Sequence, residues 1–294
     1  MVTSKKTLIV ASFALFAILP SRLMPEIAAQ SKPSRIISVI PAVTEMLFAI
    51  GAGPQVVGVG SFDEYPPEAR KLPRVGALLD PDLERILSLR PDLVIVYESQ
   101  TDFRRQLERA SVPTFVYKHA GLPDVTQTIT ALGSRIGRAS EAASVVRTIE
   151  AKLEDIRTRV QGRPRPNALV VFGRDALALR GIYASGGVGF LNDMLEAAGG
   201  SNVFTDVAKQ SVQATTELIL ARRPDVIIEL RPKPIGAEDL KKEIGVWQAL
   251  SGVPAVRTGR IVILSDQRTV VPGPRVAEGT ELIARALHPE VFAK

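Results

Sequence analysis

Four aromatic side chains, Phe62, Tyr65, Tyr97 and Tyr183, and four arginines, Arg174, Arg231, Arg268 and Arg275, are the residues of this chain best suited to chemistry. Most of them stand just past short apolar runs, as do Pro41 and Ala42, Lys118 and His119, and Asp266. Flat rings stack on a planar or ring-bearing ligand, and guanidinium groups meet carboxylates, amides or phosphates, so the chemistry is capture. Catalysis has no matching set. No Ser-His-Asp spacing, Cys-His pair or P-loop is recognisable, and the chain has no cysteine and only two histidines, His119 and His288, too few for a metal site. The glycine-rich stretch Gly51 to Gly60 follows a helix pattern and precedes a strand pattern, the reverse of what a dinucleotide loop requires. Glu45 reads as a first-turn helix residue, and His288 as a surface helix end. A secreted α/β enzyme is the competing class, and turnover of any substrate would distinguish it.

The elements that position these residues follow from a duplication. Glu84 to Ile95 reads ERILSLRPDLVI and Glu217 to Ile228 reads ELILARRPDVII, with seven of twelve positions identical. Each copy begins with a helical half whose stripe is Ile86 and Leu87, or Ile219 and Leu220. Each then meets Arg-Pro-Asp, where the proline ends the helix and bars Arg90 and Arg223 from the α region. The apolar runs that follow, Leu93 to Val96 and Val226 to Ile228, do not alternate with polar residues, as expected of parallel strands covered on both faces.

Two further blocks repeat in the same order. TEMLFAIG, with a helix starting at Thr44 as a hydroxyl cap and stopping at Gly51, follows a strand over Ile36 to Ile40 and a loop over Pro41 to Val43. It matches NDMLEAAG, Asn192 to Gly199, after a strand over Ala168 to Phe172. Ala110 to Pro113 matches Ser251 to Pro254, each leading into a strand (Thr114 to Tyr117, Ile261 to Leu264). The expected fold class is α/β: two Rossmann-like lobes with parallel sheets, over residues 34–122 and 165–294. Residues 123–162 between them are polar with helical spacing. From Ser140 to Val160 the apolar residues Val145, Ile149, Leu153, Ile156 and Val160 recur at three- and four-residue steps, giving one helix of about 30 Å. It is either a stiff connector of the lobes or a helix packed on one of them. Parallel sheets bind ligands beyond the carboxyl ends of their strands, so two such lobes place Pro41, Ala42, Phe62, Tyr65, Tyr97, Arg174, Tyr183, Arg231, Arg268 and Arg275 around a shared cleft.

Lys5 and Lys6, the apolar run Thr7 to Leu19 and the small pair Ala28-Ala29 read as a secretory signal peptide over residues 1–29. An uncleaved anchor fits less well, because Pro20, Ser21 and Arg22 interrupt the run. The expected compartment is the periplasm, with no cysteine to carry a lipid. The net charge of +6, or +4 without that leader, is interspersed, and aromatics are only 5% of residues. Nucleic-acid binding is therefore not indicated.

Glu84 and Glu217 open their helices at the cleft end of each lobe. A first-turn carboxylate complements the positive helix end. Two at matched positions also suit a two-fold partner with basic pockets, at a separation on the order of 30–50 Å.

The phrases VIPAVTEMLFAIGAG, SFDEYPPEARKLPRVG, LERILSLRPDLVI and VPGPRVAEGTELIARALHPE resemble the periplasmic solute-binding proteins of cobalamin and iron-siderophore ABC importers. The resemblance covers essentially the whole chain after the leader. It implies two lobes joined by a rigid helix, a bound ligand that is cobalamin or another large metal chelate, no cofactor, no catalysis and a monomer. It also implies docking onto a two-fold inner-membrane permease through Glu84 and Glu217. Ferric siderophore or haem is the alternative ligand. Where cobalamin-binding members stack tryptophans on the corrin, this chain has Leu78 and Ser211, while Phe62 keeps an aromatic.

Overall fold

Unbroken runs of β-branched and aliphatic residues become the central strands of two sheets. The computed structural model describes Met1 and residues 32–293; apart from Met1, the leader expected over residues 1–29 lies outside the described residues. The first lobe holds β1 (Ile36–Ser38), α1 (Pro41–Ala49), β2 (Val56–Val59), α2 (Leu83–Ser88), β3 (Leu93–Tyr97), α3 (Thr101–Arg109) and β4 (Thr114–Tyr117). Its strands are all parallel, in the order β2-β1-β3-β4. Leu93 to Val96 are fully buried, as a strand with helices on both faces must be.

Two helices follow, α4 (Leu122–Ile136) and α5 (Ala139–Val160). The second lobe holds β5 (Asn167–Gly173), β6 (Ile182–Ser185), α6 (Phe190–Ala197), β7 (Ser201–Asn202), β8 (Ser211–Ala214), α7 (Thr216–Arg222), β9 (Val226–Arg231), α8 (Ala237–Gly245), α9 (Pro254–Arg257), β10 (Ile261–Ser265), α10 (Val276–Leu287) and α11 (Pro289–Phe292). Its order is β10-β9-β5-β6-β8, with β7 on β5, and β6 runs antiparallel to both neighbours. This sheet is therefore mixed, unlike the all-parallel first one.

The repeated stretch works alike in both lobes. Asp82 caps α2 by accepting from the Arg85 amide at 2.8 Å, and Thr215 caps α7 by accepting from Leu218 at 3.2 Å, each worth about 1 kcal/mol. Arg90 and Arg223, ahead of their prolines, leave the helix in the left-handed region, with φ of 49° and 51°. The aspartates then tie each new strand to the start of the lobe. Asp92 accepts from the amides of Ser34 and Arg35 beside β1, and Asp225 from Asn167 at the head of β5.

Helix α1 corrects the sequence reading. It starts at Pro41, whose fixed φ and missing N–H suit the first helical position. Thr44 is therefore not a cap, and Glu45 is not in the first turn; both are buried. Helix α6 likewise starts earlier than expected, at Phe190. His288 is buried too, its Nε2 at 3.2 Å from the Gly199 carbonyl, where a left-handed glycine (φ 82°) ends α6.

Helix α5 buries Ala142, Ile149, Leu153, Ile156 and Val160 in one apolar cluster with residues of both lobes. It lies against α4 along one side and α10 along another, with Lys152 bridged to Glu281 of α10 at 3.0 Å. A strut clamped along its length lacks the loop residues that absorb a hinge. X-ray scattering profiles with and without ligand should therefore superimpose, and a marked compaction on ligand addition would show that the lobes swing.

Candidate functional site

Beyond the strand ends, two contacts bring the lobes together among the described residues. At the first, His119, two residues past β4, packs edge-on against Phe190 at 5.0 Å between ring centroids. Asp193 of α6 accepts from the Leu122 amide at 2.8 Å. At the second, Arg275 donates twice to Glu45 of α1, at 2.8 and 2.6 Å, and lies 3.6 Å over the Tyr65 ring. Gly273 lies against this pair: a Cβ there would come 3.2 Å from the Glu45 carboxylate and within ordinary contact, 3.6 Å, of the Ala42 carbonyl.

Along the second lobe, a cavity of about 350 Å³ runs from Gly189 and Phe190 at the first junction towards Val270 near the second. Phe172, Val188, Leu191, Gln210, Ser211 and Pro232 complete it, so no ionisable group lines it. A larger hollow of about 710 Å³ follows α4, α5 and α6 and is lined by Glu150, Arg157, Arg165, Asp193 and Glu196. The smaller one has the apolar lining and strand-end position of a ligand site.

The aromatic candidates divide by exposure. Phe62 is 70% exposed on the loop after β2, and Tyr65, on the same loop, keeps one face free of Arg275. Tyr183 on β6 is exposed beside Phe172. Tyr97 is half-buried, edge-on to Tyr117 at 5.5 Å. Pro41 and Ala42 form the first turn of α1, and Ala42 is covered at the second junction.

Each arginine candidate already has a carboxylate partner, and for Arg174 burial corrects the expectation. Arg174 has a wholly buried side chain bonded to Glu229 at 3.0 Å and Glu243 at 2.5 Å. It presents nothing to a ligand. Arg231 donates to Glu229 at 2.7 Å and lies 3.2 Å from Glu243. The sequence reading ended this strand at Ile228, whereas β9 continues to Arg231 and carries Glu229 into the interior, where the carboxylate must be paired. Arg268 forks onto Asp266 and reaches Glu278 at 3.1 Å. Its hydrogen bonds hold the Asp266 carboxyl below the usual range. Arg275 pairs with Glu45, whose pKa burial raises against the pull of Arg275.

Asp63 falls within the Phe62–Tyr65 segment that the sequence places beyond a strand end, but no local pattern gave it a role of its own. This carboxyl is fully buried on the loop that carries Phe62, with the buried Thr44 hydroxyl as its neighbouring side-chain donor. Burial pushes its pKa up to about 6. The Thr44 hydroxyl alongside and the Arg74 charge pull the other way without restoring it. The available signal was its place one residue past an exposed phenylalanine in SFDEYPP. Among the described residues, no three His, Asp or Glu side chains converge as a metal site would require.

Glu84 and Glu217 each occupy the second position of their helices and are exposed. Among the described residues, neither enters an ion pair. The Glu217 pKa is lowered, first by its own backbone amide and then by Thr215.

Against known proteins, the model of the periplasmic binding protein family matches residues 36–268. An uncharacterised ABC transporter substrate-binding lipoprotein of Bacillus subtilis, YvrC, is 29% identical over 272 residues, covering 91% of this chain and 84% of the relative. A vitamin B12-binding protein of Salmonella typhimurium is 30% identical over 196 residues, covering 66% and 71%. Among solved structures, the periplasmic heme-binding protein RhuT of Roseiflexus sp. RS-1 superposes with a TM-score of 0.73 at 26% identity, over 88% of this chain and 99% of its own. The vitamin B12-binding protein BtuF of Vibrio cholerae gives 0.75 at 22% identity, over 90% and 99%, a likeness of fold.

Proposed function

The chain belongs to the periplasmic binding protein family, and from that premise we propose that this substrate-binding component of an ABC importer captures cobalamin or a related corrinoid between its lobes. The carrying observation is the uncharged, largely apolar cavity at the strand ends of the second lobe, and the exposed Phe62 of the first lobe is the aromatic we assign to the same ligand. A corrin ring edged with neutral amides needs apolar faces and a few hydrogen-bonding groups, such as Gln210 and Ser211. A polyanionic ferric chelate needs free cations, and the four arginines at these strand ends are neutralised internally. Relatives named as vitamin B12-binding proteins support the same class. Haem is the second reading, favoured by the similarity to RhuT.

In this reading the mature chain works in the periplasm as a monomer, without catalysis. It hands its ligand to a two-fold permease, with Glu84 and Glu217 as docking carboxylates. A thermal-shift screen with cobalamin, cobinamide, haem and a ferric hydroxamate tests the ligand class, since a ligand that binds only the native state raises the unfolding midpoint. Cobalamin or cobinamide should give the largest rise, whereas a rise with haem alone would select the second reading.

Phe62→Ala should weaken corrinoid binding about tenfold, the usual scale for losing one stacked ring. Its unfolding midpoint should stay at the parent value, because an exposed ring contributes little to the core. Unchanged affinity with early unfolding would make Phe62 a packing residue.

A further inference from the structure

We propose that Asp63 is a positioning residue of the ligand site: its buried carboxyl, set against the Thr44 hydroxyl, seats the Phe62–Tyr65 loop on α1, and its charge state sets how that loop presents Phe62. This rests on the cleft reading above, and its grounds are geometric. Asp63 is fully buried with its carboxyl beside the Thr44 hydroxyl of α1, while its neighbour Phe62 is the most exposed aromatic among the described residues. The loop backbone is anchored at several points: Arg74 donates to the carbonyls of Gly60 and Asp63, at 2.8 Å each, Arg70 donates to that of Glu64 at 2.9 Å, and the Ser61 amide donates to Gly76 at 2.8 Å. The Asp63 carboxyl presses on Gly60, where a Cβ would lie 2.5 Å from Oδ2 and 3.0 Å from the Val39 carbonyl. The Thr44 hydroxyl is also fully buried, with the Asp63 carboxyl as its side-chain partner.

The groups that set its charge come from every neighbouring element. Glu45 of α1 opposes ionisation, though Arg275 neutralises it, and Arg74 favours ionisation. The Gly60 amide, which also favours ionisation, already donates to Ser38. Burial outweighs them and places the titration near pH 6. The Thr44 hydroxyl can donate to the carboxylate or accept from the neutral acid, so it is burial, and not the lack of a donor, that disfavours the charged form. A ligand stacked on Phe62 removes water from above the loop and makes the charged form still costlier. Affinity should therefore be highest when Asp63 is protonated and fall as pH rises through about 6.

The test has two arms. In the first, Phe62→Trp reports on the loop without ligand, with the emission of the buried Trp247 subtracted using the parent protein. Its emission should titrate with a midpoint near pH 6, and the Asp63→Asn background should remove that transition while raising the unfolding midpoint at pH 7.5. In the second, cobinamide is titrated into the Phe62-bearing protein. Its dissociation constant should rise about tenfold between pH 5 and 7.5, and with Asp63→Asn it should stay at the low-pH value, since one pKa unit corresponds to a factor of ten. An emission transition unaffected by Asp63→Asn, or a cobinamide slope that survives it, overturns the proposal. A normal transition without binding of any corrinoid leaves the role of Asp63 in the loop standing and rejects the ligand reading instead.

Discussion

The Glu84→Ala, Glu217→Ala double variant should bind ligand like the parent protein and yet fail to drive uptake or ATP hydrolysis by the reconstituted transporter. A two-fold permease presents the same pocket twice, and the lobe duplication offers it two equivalent carboxylates in second helical positions. Both are exposed and free of ion pairs among the described residues, so truncation should cost the fold less than about 0.5 kcal/mol. At a docked interface, removing one carboxylate leaves a basic partner group unpaired, at about 2–5 kcal/mol if it is buried. Each single variant should therefore lose less than the double, and charge reversal at either site should lose more. Normal transport by the double variant would reduce both residues to helix-end charges. Loss of ligand binding would move them into the cleft.

Arg174→Ala should lower the free energy of unfolding by about 3–5 kcal/mol, the scale for breaking a buried ion pair from one side. Its guanidinium holds Glu229 and Glu243 in the interior, and the Trp247 indole adds a hydrogen bond to Glu229 at 3.3 Å. Removing the cation leaves Arg231, one-quarter exposed, to serve both carboxylates. Urea denaturation measures the loss, and the fraction that remains folded should bind ligand with parental affinity. Reduced affinity without loss of stability would return Arg174 to the ligand site.

What the sequence made legible was whatever repeats or follows a short-range rule. Arg-Pro-Asp stops two helices because proline acts on its immediate neighbour, and the apolar runs after it need no tertiary partner to be read as covered strands. The exposed Phe62 and the helix-opening Glu84 and Glu217 were legible for the same reason. The arginines were not, because their partners lie far along the chain: Arg174 and Glu243 are 69 residues apart, and Arg275 and Glu45 are 230 apart. No local pattern separates an arginine that awaits an anion from one that has already found a carboxylate. The burial of Asp63, within the Phe62–Tyr65 candidate stretch, was not legible for the converse reason. An aspartate in a loop ordinarily faces water, and its burial arises only when the loop folds back over Gly60 and α1. Thr44 was misplaced because two helix-start signals competed, and the proline three residues earlier prevailed over the hydroxyl.

The central claim is that the cleft between the lobes is a corrinoid site. Calorimetric titration of the leader-free chain with cobalamin and cobinamide, repeated at low and high salt, tests it most directly. The account predicts one saturable site per chain, with an affinity that changes little with salt because no free charge lines the cavity. Absence of saturable binding by both corrinoids, together with tight, salt-sensitive binding of an anionic ferric chelate, would contradict it.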